Sequence, residues 1–186
     1  MTSPAPENFY QQLLHICHFL ESNRIPYMIV GGIAVSIWTA PRATVDLDFV
    51  IGLNEETLPS FIKSAAEAGL VVFDPKPMEF KKVKLLRMFL KGTESQLLML
   101  DFILADDEYK RESLKRAVVL KWEEQEIKVA SPEDVILLKL LSGRGQDRVD
   151  VENIIQMQKT SLDRTYLQRW AKRLSLSESL TQFLGK

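Results

Sequence analysis

The feature that most constrains the fold is a change in hydrophobic periodicity near residue 130. Before it, short apolar runs rich in β-branched and aromatic residues alternate with segments whose apolar residues recur every three or four positions. After residues 131–134, which have the composition of a helix start, only the helical spacing remains. This order predicts an α+β fold, with a core domain over 1–130 and a helical C-terminal part over 131–186 that packs on it.

The same patterns predict the individual elements. Helices are predicted at 7–22, 33–39, 54–69, 106–115, 132–142, 146–158, 163–173 and 177–183. Strands are predicted at 27–30, 44–51, 70–73, 85–90, 97–104, 117–122 and 125–129. Short polar segments join the fourth strand to the fifth and the sixth to the seventh, so each of these pairs is expected to form a hairpin.

Composition excludes several kinds of site. The single cysteine, Cys17, allows neither an intrachain disulfide nor a cysteine-based zinc site. The two histidines, His15 and His18, share one predicted helix but have no third ligand in view, so core packing is favoured over a histidine metal site. A formal net charge of -1 gives no whole-molecule field that attracts nucleic acid or an anionic membrane.

The N-terminal residues lack the basic start and the apolar run of a signal peptide. No apolar stretch of the sequence approaches the roughly 20 residues that span a bilayer. We therefore expect a cytoplasmic protein without membrane contacts.

Two aspartates, Asp46 and Asp48, lie in an otherwise apolar predicted strand. Side chains alternate along a strand, so both carboxylates point to one face, with their α-carbons about 7 Å apart. Such charges repel each other unless a cation lies between them, and Mg²⁺ suits one or two carboxylates together with phosphate oxygens. A divalent-cation site is therefore favoured over two solvated acids on an edge strand. If the strand begins early, Thr44 and Arg42 add a hydroxyl and a cation to this face.

A pair of glycines, Gly31 and Gly32, lies between a predicted strand and a predicted helix. Glycines at such a junction let backbone amides approach a phosphate, and the helix N-terminus favours negative charge. One turn further along, Ser36 could add a hydroxyl. The alternative is a tight turn that serves close packing only.

A third carboxylate, Asp101, is the only charged residue in the apolar run 97–104. Burying a carboxylate without a partner is unfavourable, so a metal ion or a cationic side chain must offset the cost. If this strand lies beside the one that carries Asp46 and Asp48, the three carboxylates converge on one or two ions. The alternative is a buried salt bridge to Arg42 or Arg87.

These motifs resemble a known signature. A hydrophobic-Gly-Gly turn, a gap of 13 residues, an Asp-x-Asp and a later hydrophobic-Asp-hydrophobic strand are similar to the polymerase beta-like nucleotidyltransferase superfamily. Over 42–48 the chain looks especially like the bacterial branch of the AbiEii-type abortive-infection toxins. A looser helical motif over 137–150 widens the resemblance to 25–155. The resemblance implies a nucleotidyltransferase-like mixed β-sheet flanked by helices.

The resemblance also implies an activity. Asp46, Asp48 and Asp101 would hold two Mg²⁺ or Mn²⁺ ions, and Asp101 could help to deprotonate an acceptor hydroxyl. The reaction would transfer a nucleoside monophosphate from an NTP, such as ATP, to a hydroxyl of a tRNA, a protein or a small molecule. Membership in the toxin branch would add an antitoxin protein as a partner.

The predicted nucleotide-binding residues lie around these carboxylates. They are Gly31, Gly32, Ser36, Arg42, Thr44, Lys139 and Arg144. Lys139 and Arg144 enter this set through the resemblance, as cationic contacts of the helical motif. Their alternative role is a helical surface pair with the nearby Asp147 and Asp150.

Two broader alternatives stay open. The basic runs over 81–87 and 110–116 are either solvated faces or a local guide for RNA. The protein could also be a non-catalytic module that keeps the fold and binds nucleotide or a partner protein. An intact set of three carboxylates argues against that module, because buried acids without a metal are unfavourable.

Overall fold

The computed structural model describes residues 9–41, 44, 46–80, 83–91, 97–122 and 124–184. Within these ranges the chain forms eight strands and eight helices. The strands are β1 (Tyr27–Ile29), β2 (Leu47–Ile51), β3 (Leu70–Val71), β4 (Met78–Phe80), β5 (Val83–Lys91), β6 (Leu97–Leu104), β7 (Val118–Trp122) and β8 (Gln125–Val129). The helices are α1 (Phe9–Ser22), α2 (Gly31–Trp38), α3 (Leu58–Glu67), α4 (Glu108–Lys115), α5 (Pro132–Ser142), α6 (Gly145–Met157), α7 (Arg164–Arg173) and α8 (Ser177–Leu184).

All eight strands belong to one mixed sheet. Its order is β3-β5-β6-β2-β1-β8-β7, and β4 pairs with β5 outside this path. The pairs β2–β6 and β1–β8 are parallel, whereas the two predicted hairpins, β5–β6 and β7–β8, are antiparallel. A mixed sheet flanked by helices confirms the predicted fold class.

The central part of the sheet has one buried face and one partly covered face. Along β6, alternate side chains from Leu98 to Leu104 are buried, and those between them are only partly covered. Asp101 belongs to the partly covered set, because side chains alternate across a strand. The sheet core is aromatic, with Phe49 stacked on Phe102 at a centroid distance of 5.6 Å.

Two element boundaries near the predicted site and one whole strand differ from the sequence prediction. Helix α2 begins at Gly31, so both glycines lie in its first turn and not ahead of it. Strand β2 begins at Leu47, so Asp46 lies immediately before the strand. Strand β4 was not predicted, because its three residues form a strand only by pairing with β5, a tertiary contact that local pattern does not reveal.

The helical end of the chain begins where its residue types indicate. The Ser131 hydroxyl accepts a hydrogen bond from the Asp134 amide at 3.2 Å, which caps α5. Helix α5 ends at Ser142 and is followed by Gly143, whose φ of 65° is the left-handed conformation that glycine adopts readily. Helix α5 contacts α2, α6 and α7. The proposed domain division at residue 130 stays a prediction.

None of the helices in the described part of the chain is both long and apolar enough to cross a membrane.

Candidate active site

Asp48 and Asp101 lie side by side on neighbouring strands. The parallel pairing of β2 with β6 makes them register partners, and adjacent strands are about 4.8 Å apart. Burial, together with the negative charges of Asp101 and Asp46, raises the pKa of Asp48 from 3.8 to about 6. The positive charges of Lys139 and Arg144 act in the opposite direction. The carboxylates therefore form a cluster whose negative charge is only partly compensated.

Asp46, the first of the predicted pair, lies just before β2 and is half-buried. The Thr44 hydroxyl donates a hydrogen bond to the Asp46 carbonyl at 3.4 Å, so this predicted nucleotide contact supports the backbone that leads into the strand. Arg42, another predicted contact, lies outside the described residues.

The first turn of α2 lies against the Asp48 carboxylate. The Val30 amide donates a hydrogen bond to the Asp48 carbonyl at 2.9 Å, which ties the start of the helix to β2. Gly31 has a φ of +62°, and a Cβ placed there would lie 1.8 Å from Oδ2 of Asp48. Glycine is therefore required here both for its backbone conformation and for the space that the carboxylate fills.

The N-terminus of α2 has no side-chain hydrogen-bonded cap at Val30. Its first backbone amides and the positive end of its dipole favour an anion beside Gly31 and Gly32. The hydroxyl of Ser36, predicted as a further phosphate contact, donates to the Gly32 carbonyl at 3.0 Å within the same helix.

Asp101 forms a two-point ion pair with Arg87. The Nε of Arg87 donates to Oδ1 of Asp101 at 2.8 Å, and Nη2 donates to Oδ2 at 2.8 Å. The two residues are register partners across the β5–β6 hairpin. The sequence offered Arg42 and Arg87 as cationic partners of Asp101, and in the structure Arg87 forms the ion pair. The role of Asp101 as a metal ligand stays a prediction.

Lys139 and Arg144 approach the carboxylates from the helical end of the chain. The Nζ of Lys139 lies 2.9 Å from Oδ1 of Asp147 and 2.9 Å from Oδ2 of Asp150, and both of these acids are buried. The Arg144 amide donates to Oδ2 of Asp147 at 3.0 Å. Burial raises the pKa of Asp147, but the hydrogen bond from Lys139 and further contacts bring it below the usual value. The two acids thus hold Lys139 where its charge acts on Asp48.

The three predicted ligands fit a hard divalent cation by their chemistry. Asp46, Asp48 and Asp101 supply only carboxylate oxygens, which Mg²⁺ and Mn²⁺ prefer. Burial is the main cause of the raised pKa of Asp48, and the negative charges of Asp101 and Asp46 add to it, which is a repulsion that a cation would relieve. Within the described ranges, no three acidic, histidine or cysteine side chains are grouped closely enough to hold one ion. Binding of one ion by all three carboxylates would therefore need side-chain rotation.

An apolar surface that the sequence interpretation missed adjoins the cluster. Two register pairs along the hairpin from Arg87 and Asp101, on the same face of the sheet, Phe89 pairs with Met99, and both side chains are partly covered. Phe73, which is 71% exposed, packs edge-on against Phe89 at a centroid distance of 5.2 Å. The sequence does contain a sign of this surface. Apart from Asp101, residues 97–104 are apolar at both odd and even positions, a pattern typical of a strand with two apolar faces.

Two of the four cations in the second basic run, Lys110 and Arg116, are paired within the fold. Lys110 is buried and its ammonium group pairs with Asp106 at 2.8 Å and also with Asp107. Arg116 pairs with Glu133 at 3.4 Å. These two cations are therefore satisfied within the fold, which removes them from a surface that could guide RNA.

Comparison with family models places most of the chain in one family. Residues 19–179 match the model described as "Nucleotidyl transferase AbiEii toxin, Type IV TA system". A search of curated protein sequences found no match.

Solved structures with the same fold include several nucleotidyltransferases. An antigenic nucleotidyltransferase-like protein from Paracoccidioides brasiliensis has a TM-score of 0.53 and 21% identity, covering 94% of this chain and 96% of that one. The lincosamide antibiotic adenylyltransferase LnuA, bound to lincomycin, has a TM-score of 0.52 and 16% identity, covering 82% of this chain and 99% of that one. The protein ANT(2'')-Ia in complex with adenylyl-2''-tobramycin has a TM-score of 0.55 and 14% identity, covering 88% and 95%. At these identities the similarity establishes the fold.

Proposed function

Because the chain belongs to the Nucleotidyl transferase AbiEii toxin family, and is on that ground a nucleotidyltransferase, we propose that Asp46, Asp48 and Asp101 form its catalytic centre. The proposed reaction moves a nucleoside monophosphate from an NTP to a hydroxyl group, with Mg²⁺ or Mn²⁺ as the cofactor. The observation that carries this proposal is the register pairing of Asp48 with Asp101, together with the raised pKa of Asp48. Carboxylates so arranged are unfavourable in the cation-free protein, and perturbed groups of this kind are typical of functional sites.

The three carboxylates would hold the divalent cation. When bound, such an ion neutralises phosphate charge and makes an acceptor hydroxyl more acidic. Asp48 is the central ligand in this scheme, because the Gly31 backbone leaves room for its carboxylate and Asp101 is its neighbour.

The phosphates of the NTP would lie between the N-terminus of α2 and Lys139. The free amides of the first turn, around Gly31 and Gly32, favour phosphate oxygens. Lys139 is held by two buried acids, so it reaches the site as a positioned point charge. Arg144 is exposed and its charge acts on Asp48, which suits a second contact to the same phosphates.

Asp101 is the proposed acceptor of the hydroxyl proton. The acceptor oxygen would attack the α-phosphorus, the bond from that phosphorus to the bridging oxygen would break, and pyrophosphate would leave. The proton of the hydroxyl would pass to a carboxylate oxygen of Asp101. Positioned bases of this kind contribute roughly 10²–10⁴-fold to rate.

The proposal also concerns the class of acceptor and the biological role. The family name supports a toxin that acts together with an antitoxin partner. Two structural neighbours are described with antibiotics, one as an adenylyltransferase and one with an adenylylated product, which makes ATP the first donor to test. RNA, protein and small-molecule hydroxyls are all chemically suitable acceptors.

Metal binding is the first expected consequence of this site. Mg²⁺ or Mn²⁺ should raise the melting temperature of the wild type, because a ligand that binds only the folded state stabilises it. A variant with both Asp46→Asn and Asp48→Asn should lose that response, while Asp74→Asn, which changes an exposed loop carboxylate, should keep it. An unchanged response in the double variant would exclude these carboxylates as the metal site.

A further inference from the structure

In the Arg87–Asp101 ion pair, the guanidinium of Arg87 binds a carboxylate that the proposed function requires as a metal ligand. Both guanidinium contacts are 2.8 Å long, and they engage both oxygens of the carboxylate. Charge-assisted pairs with this forked geometry are the stronger class of hydrogen bond. Asp101 therefore has an internal counter-ion before any metal arrives.

Arg87 also belongs to the electrostatic environment of the whole cluster. The hydrogen bond to Asp101 chiefly raises the pKa of Arg87, with the charges of Asp101, Asp46 and Asp48 adding to it. The side chain is 39% exposed, whereas that of Asp101 is only 13% exposed. The Arg87 side chain thus keeps contact with solvent, whereas the carboxylate it pairs with is largely covered.

We propose that Arg87 is a positioning residue that competes with the divalent cation for Asp101. In the metal-free protein it neutralises Asp101 and fixes the direction of its carboxylate. When a cation binds, Arg87 gives up at least one of the two carboxylate oxygens. The affinity of the site for metal is then lower than the three carboxylates alone would give. This inference rests on the proposed function, because it requires Asp101 to be a metal ligand.

The test measures the binding of Mn²⁺ alone, without nucleotide, by isothermal titration and by the electron spin resonance signal of free Mn²⁺. Arg87→Met removes the competing charge while keeping most of the apolar stem. Lys84→Met is the matched control, since Lys84 is a half-exposed cation on the same strand whose ion pair is with Glu55. Asp101→Asn tests whether the carboxylate binds metal at all.

The expected result is that Arg87→Met binds Mn²⁺ roughly fivefold more tightly than the wild type, or better, since the metal no longer breaks a partly buried ion pair. Lys84→Met should stay within about twofold of the wild type, because exposed pairs contribute little. Arg87→Lys keeps the charge but loses the fork, so its affinity should lie between those of the wild type and Arg87→Met. If Arg87→Met folds poorly, Arg87→Lys still tests the proposal, because it should bind Mn²⁺ more tightly than the wild type.

Two results overturn the proposal in distinguishable ways. If Asp101→Asn weakens Mn²⁺ binding but Arg87→Met binds with unchanged or lower affinity, Arg87 does not compete and the metal site stands. If Asp101→Asn binds Mn²⁺ as tightly as the wild type, the assignment of Asp101 as a ligand fails, and the proposal about Arg87 fails with it.

Discussion

Asp48→Asn is expected to stabilise the metal-free protein at neutral pH. The pKa of Asp48 is 3.8 in a model peptide and about 6 in the folded protein, because of burial and the neighbouring acids. Below the lower value the group is protonated in both states and has no effect. Between the two values the unfolded chain releases the proton while the folded chain keeps it, so the stability falls as pH rises.

The size of this effect follows from the shift. One pKa unit corresponds to about 1.4 kcal/mol, so a rise from 3.8 to about 6 costs the folded state roughly 3 kcal/mol once the pH exceeds the higher value. Asparagine has nearly the same shape and no charge, so it removes this cost. We expect Asp48→Asn to be more stable than the wild type by up to roughly 3 kcal/mol at pH 8, and about equally stable at pH 4.

The assay is equilibrium unfolding in urea, in EDTA, at both pH values. Glu67→Gln is the control, because it removes one negative charge from an exposed position of α3 and should change stability little at either pH. Adding Mg²⁺ should reduce the difference between the wild type and Asp48→Asn, because the metal stabilises only the protein that binds it. The reasoning is refuted if Asp48→Asn is no more stable than the wild type at pH 8, or if its gain persists at pH 4.

Two further substitutions test how the site is built. Gly31→Ala should lower the free energy of unfolding by several kcal/mol, because a clash with the Asp48 carboxylate adds to the cost of a left-handed backbone, which is roughly 1–2 kcal/mol. The control is Gly143→Ala, which has a φ of 65° but its nearest contact at 3.8 Å, and which should show only the backbone cost. Equal losses in the two variants would contradict the clash. Lys139→Met should lower the free energy of unfolding in urea by roughly 3–5 kcal/mol, because it leaves the two buried aspartates of α6 without their shared cation. A loss below about 1 kcal/mol would mean that the ion pairs of Lys139 are only surface contacts.

The sequence was most informative where local pattern is enough to define an element. Apolar runs joined by short polar segments predicted both hairpins, and the structure confirms them. The change to purely helical spacing after residue 130 likewise agrees with α5 to α8. The family resemblance, drawn from the glycine pair and the Asp-x-Asp, is confirmed by the match over residues 19–179.

Tertiary pairing explains what the sequence could not supply. Asp48 and Asp101 meet because β2 pairs in parallel with β6, and three strands lie between them along the chain. Neither periodicity nor spacing specifies that pairing. The choice of Arg87 as partner of Asp101 depends on the hairpin register, and a shift of one residue would turn the arginine to the other face. Gly31 could be recognised as a functional glycine from sequence, but its proximity to Asp48 arises only when α2 packs against β2.

The most direct measurement follows the two ends of the triphosphate separately. The wild type is incubated with ATP and then with each other NTP, labelled at either the α- or the γ-phosphate, with Mg²⁺ and with tRNA, cell protein or small-molecule hydroxyls as acceptor. The account predicts α-label in one acceptor class, no γ-label, and release of pyrophosphate. Transfer should fall by roughly 10²-fold or more in Asp101→Asn, the loss expected for a positioned base. Transfer of γ-label, full activity in Asp101→Asn, or nucleotide binding without any labelled acceptor would contradict it.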